Sequence, residues 1–197
     1  MLKRLSGQIK AFLTLWLFTA LGIFLHELSH HLFGLPSMVS LARNWPLVQV
    51  TVENRTTAII GSLAGPVTNL FLGYIGLLIY SYSTKHWILR KIGFFLGLSN
   101  AFLVLNAAVI NLIVDLVSGT RGNDLQIVSK LSGINIFILP GIFIIFALIP
   151  LRVFWRDYQE ITSNRFTFIL LVFVAWLLGG MSLMLLDSVL GIRFKII

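Results

Sequence analysis

The sequence predicts an all-α polytopic membrane protein, and three observations predict it. Hydrophobic residues make up 57% of the 197-residue chain and charged residues only 11%, with a mean hydropathy of +0.94; a soluble domain is ~25% charged. The apolar residues fall into five runs, roughly 10–34, 58–82, 92–115, 134–151 and 166–188. Each is close to the ~20 residues that a ~30 Å hydrocarbon core requires. The cations lie between the runs, as in "KHWILRK" (85–91) and "RVFWRD" (152–157), where they flank spans and meet lipid headgroups. The net charge of +8 is therefore assigned to the lipid bilayer as partner. No nucleic acid is expected, because no basic face with interleaved aromatics stands on a soluble module. The location expected is a multi-pass integral membrane protein, in the cell membrane.

The first run follows "MLKRL", as in a signal peptide. No small-residue cleavage site follows it, and cleavage would cut into a polar cluster, so this span is expected to be retained. The cluster is "FLHELSHHLF" (24–33), which uses three of the four histidines and one of the three glutamates in the chain. His26, Glu27 and His30 form H-E-x-x-H. On a helix, residues i and i+4 lie ~40° apart around the axis and ~6 Å along it, so both imidazoles lean to one side and can bind one cation. Glu27, next to the first ligand, is placed to act as general base on a water at that cation. Ionisable groups inside a bilayer helix cost ~2.5–3.5 kcal/mol each and are functional by default. His31 points ~100° away from His30 and is read as interfacial.

After the first run, "PLVQVTVE" (46–53) alternates Val48, Val50 and Val52 with polar residues, the period of a strand. A short β-strand or hairpin over 38–53 is expected, with an edge able to accept an extended peptide. The second run contains "GSLAG" (61–65), whose glycines four apart let helices approach closely. Pro66 follows and can free a carbonyl within the span. The third run ends at Asp115, and "DLVSGTRGND" (115–124) is expected as a loop at the level of the histidine cluster. The fourth run is the shortest and carries Pro140 and Pro150, so a kink or tilt is expected.

A catalytic zinc takes three protein ligands and keeps a position open for water. The chain has no cysteine, so the third ligand must be His, Asp or Glu. His86 and Glu160 fall on the opposite side of the membrane. The same-side candidates are Glu53, Asp115, Asp124 and Asp187. Asp124 is favoured over Asp115, because it follows a Gly-rich turn able to reach back to the histidines.

These residues resemble the site-2 protease group, the M50-type intramembrane zinc metalloproteases. "HELSH" (26–30) matches the H-E-x-x-H of that family, "GSLAGPVTN" (61–69) is similar to its G-P-x-x-N stretch, and "NLIVDLVSGTRGNDL" (111–125) to its N-L-x-P…D-G segment. Val114 stands where the family has proline and Leu125 where it has glycine. The resemblance implies a catalytic membrane core over 1–133, with three helices, a β segment and a ligand loop at 115–125. Two additional helices without an assigned role then make up 134–197. It implies zinc as cofactor, held by His26, His30 and Asp124, with Glu27 activating water. Asn69 would lie near the metal, orienting the substrate strand or stabilising the oxyanion. The implied substrate is a membrane protein or peptide. The sequence leaves open a non-hydrolytic membrane metal-binding or transport protein and an inactive protease-like scaffold. It gives no oligomeric state.

Overall fold

The computed structural model describes residues 2–34, 38–41, 50–52, 55–118 and 124–190. The order of elements is α1 (Leu2–Gly34), β1 (Met38–Leu41), β2 (Val50–Val52), α2 (Arg55–Tyr82), α3 (Trp87–Ser118), α4 (Asp124–Ser132), α5 (Ile138–Arg156) and α6 (Arg165–Leu190), with a 3₁₀ turn at Tyr158–Glu160. Five of the helices, α1, α2, α3, α5 and α6, are long and apolar enough to cross a membrane. Their outward faces carry exposed apolar stripes, such as Ile9, Leu13, Leu17 and Leu21 on α1. Water would penalise such stripes, whereas hydrocarbon accepts them.

Because lipid tails are as apolar as leucine, burial alone does not bring membrane helices together; close backbone packing and polar contacts do. α2 and α3 cross where Gly76 meets Gly93 and Gly97, and a β-carbon built on Gly76 would strike the backbone of Gly97. α3 packs against α1, α2 and α5, while α6 lies against α1. Ser29 on α1 lies 2.7 Å from the Thr68 hydroxyl on α2, and Trp16 on α1 donates to Ser182 on α6 at 3.0 Å. One aromatic core collects Tyr80, Phe94 and Phe154 with Phe168 of α6. A smaller core joins Val104, Ala108, Leu125, Phe143 and Ala147.

α1, α2, α3 and α6 extend beyond their apolar runs, because polar residues at the interface continue the helical hydrogen bonding at no desolvation cost, whereas α5 begins at Ile138, inside the run expected over 134–151. Pro140 lies in the first turn of α5, where a missing N–H costs nothing, and only Pro150 is interior to that helix. The expected 115–125 loop is partly helical. α3 continues to Ser118, and α4, too short for an apolar run to reveal it, begins at Asp124 and buries Leu125 and Val128. Residues 119–123 lie outside the described residues. Between α1 and α2, β1 and β2 pair antiparallel, with Leu41 opposite Val50 and Met38 opposite Val52. Of the 38–53 segment, 42–49 and 53 lie outside the described residues.

The up-and-down order brings the C-terminal part of α1, the start of α2, the end of α3 and α4 to one end of the bundle. Arg55 at the start of α2 donates to the Leu131 carbonyl in α4, tying two of these elements together.

Candidate metal centre

Three side chains from three places in the sequence converge at that end. Nε2 of His26 lies 3.2 Å from Oδ2 of Asp124, and Nε2 of His30 lies 3.3 Å from the same oxygen. One ligand atom from each of the three lies within 4.8 Å of the other two, a set able to hold a metal ion. Four ligands placed ~2.0–2.1 Å from an ion at tetrahedral angles stand roughly 3.3–3.4 Å apart. The two nitrogen-to-oxygen separations match such edges.

The helix explains the first two ligands. Four residues apart on α1, the imidazoles sit one turn from each other, with ring centroids 4.7 Å apart and planes at 78°. His30 is fixed further, because its Nδ1–H donates to the Gly61 carbonyl at 2.6 Å. That hydrogen bond keeps a proton on Nδ1, so that Nε2 is the nitrogen facing Asp124, a donor when protonated and a lone pair when not. Asp124 opens α4, where the helix dipole favours a carboxylate. Burial disfavours the ionised form of Asp124, but hydrogen bonds to His26 and His30 outweigh it and hold the carboxyl well below the usual range. Its side chain is 34% exposed, against 14% for His26 and 7% for His30, so the centre opens to its surroundings on the Asp124 side.

The residues opposite α1 are small for a reason that the spacing alone does not disclose. A β-carbon built on Gly65 would run into Nε2 of both His26 and His30. The glycine lets both imidazole nitrogens approach the α2 backbone more closely than any other residue would allow. The signal was present in the sequence. Both pairs, His26/His30 and Gly61/Gly65, are four residues apart on helices that run antiparallel, so His30 meets Gly61 as His26 meets Gly65.

Glu27 is buried on α1 beside the first ligand. Asn69 is also buried, and its Nδ2 lies 3.2 Å from Nδ1 of His26. His86 is exposed in the turn between α2 and α3, at the opposite end of the bundle, and Glu160 pairs with Arg90 at that same end. Asp115 and Asp187 stand on α3 and α6, but their side chains, with that of His31, lie outside the described residues, as does Glu53 altogether. Comparison with protein-family models, with characterised proteins and with solved structures finds no match for this chain.

Proposed function

We propose that the chain is an intramembrane zinc metalloprotease of the site-2 protease type, acting on membrane-embedded or juxtamembrane peptide bonds. The observation that carries this reading is the convergence of His26, His30 and Asp124, with both imidazole nitrogens at a tetrahedral-edge distance from the carboxylate oxygen. Its chemistry adds support. All three atoms are lone-pair donors, and only a proton or a metal cation can satisfy them together. Two nitrogens and one carboxylate oxygen, with no thiolate, make a donor set common to catalytic zinc sites, with the fourth position left open. Zinc held there supplies Lewis acidity, polarising a carbonyl and making water a usable nucleophile near neutral pH.

The remaining work falls to this chain's own residues. Glu27 takes the proton of the attacking water and delivers it to the leaving amine. The exposed side of Asp124 admits water and substrate. A substrate helix hides its carbonyls in its own hydrogen bonds and must unwind before attack. The edge of the β1–β2 pair, with no further strand on it among the described residues, gives the unwound stretch a place to add as a strand.

The test is Glu27→Gln in the full chain, assayed against a membrane-anchored reporter. Cleavage is expected to fall by about 10²–10⁴-fold with bound zinc unchanged. Full cleavage by the variant would refute the proposal, and metal flux across vesicles that survives the substitution would point to transport.

A further inference from the structure

A neutral imidazole that offers Nε2 to a metal must carry its proton on Nδ1, and the group facing Nδ1 must then accept a hydrogen bond. For His30 that group is the Gly61 carbonyl. For His26 it is the side-chain amide of Asn69, four residues after Gly65 on the same face of α2.

The amide can serve either tautomer. With Nδ2 toward the ring, at 3.2 Å, Asn69 donates and the imidazole proton is driven to Nε2, where Asp124 accepts it. In that arrangement Oδ1 of Asn69 is buried with no hydrogen-bond partner among the described residues, an expensive condition for a polar atom. A half-turn of the amide changes its shape very little. It brings Oδ1 to Nδ1–H, turns Nδ2 into the place that the oxygen held, and frees the Nε2 lone pair. The Gly65 carbonyl also reaches this ring, as the Gly61 carbonyl reaches His30; it offers a second acceptor, and the amide is the one of the two that can turn between accepting and donating.

We propose that Asn69 is a positioning residue for the metal centre, which by turning its amide sets the His26 tautomer that presents Nε2 to the ion. This rests on the metal-centre reading and assigns Asn69 a task performed through His26, separate from any contact with substrate. It is a two-position device. The donating position fits the centre held together by protons, and the accepting position fits the centre holding a cation.

The experiment is a chelator competition for zinc on the detergent-solubilised full chain, comparing wild type, Asn69→Leu, Asn69→Asp and Asp124→Ala. Leucine matches the size of asparagine and accepts nothing, so zinc affinity is expected to fall by about 10–100-fold. Aspartate can only accept, and is expected to stay close to wild type. In zinc-loaded protein with ¹⁵N-labelled histidine, Asn69→Asp should move the Nδ1–H resonance of His26 downfield and leave that of His30 in place. Wild-type affinity in Asn69→Leu, or an equal loss in Asn69→Asp, would overturn the inference while the metal centre stood. Should the leucine variant not accumulate as folded protein, the aspartate variant decides alone, on the same criterion. Wild-type protein that binds no zinc, or Asp124→Ala that binds it as well as wild type does, would instead sink the metal-centre reading beneath.

Discussion

Two polar clusters occupy opposite ends of the helix bundle, and they are wired in opposite ways. At the end away from the histidines, Arg90 donates to Glu160 at 3.1 Å and to the Tyr80 hydroxyl at 2.7 Å. Tyr80 donates in turn to Asp157 at 2.7 Å, and Asp157 also accepts from Arg156 at 3.0 Å. The Arg156 hydrogen bond holds the Asp157 carboxyl below its usual range against burial, with a lesser contribution from Tyr80. Cations and anions are matched there, and the chain supplies both. At the other end, His26, His30 and Asp124 bring two imidazoles and one carboxylate together, a group that could hold a metal ion; on the proposed reading the matching cation comes from outside. The first cluster fastens α2, α3 and the turn after α5. The second, on that reading, is a site for a ligand. Polarity and burial do not separate a lock from a site; the presence or absence of the complementary charge does.

The sharpest way to break this comparison is at Gly65. Gly65→Ala places a methyl group against both ligand nitrogens, so zinc affinity is expected to fall by at least the ~10–100-fold of an outer-shell change, and cleavage with it. Gly141→Ala, where a β-carbon meets nothing within 4 Å, is the matched control and should bind zinc as wild type does. Equal binding by the two variants would show that the ion does not sit against Gly65.

A smaller effect is expected at the lock. Tyr80→Phe removes the donor to Asp157 and the acceptor for Arg90. It should lower stability in detergent by about 1–2 kcal/mol, read as the shift in the thermal unfolding midpoint. Zinc affinity should not change, because the two clusters share no partner among the described residues. A loss of zinc on this substitution would couple the ends and undo the contrast.

The two clusters also differ in how far the sequence discloses them. H-E-x-x-H is local: 3.6 residues per turn is enough to put His26 and His30 on one side of α1. The five spans are legible for the same reason, since each is one local, mostly apolar run. Asp124 was reachable only by elimination and resemblance, because its approach to the histidines depends on α4, a helix of 9 residues with no apolar run to announce it. Gly65 was legible as small, but why it must be small depends on which helix it faces. The lock was invisible. Arg90 and Glu160 are 70 residues apart, and Tyr80 and Asp157 are 77 apart, so only the packing of α2, α3 and α5 brings them together.

The central claim is that side chains from α1 and α4 grip one divalent ion. The direct measurement is metal content per chain, by elemental analysis of the purified detergent-solubilised protein, for wild type and Asp124→Ala. One equivalent of zinc in wild type and almost none in the variant is the predicted result. Zinc absent from wild type after incubation with excess metal, or present equally in both, would contradict it.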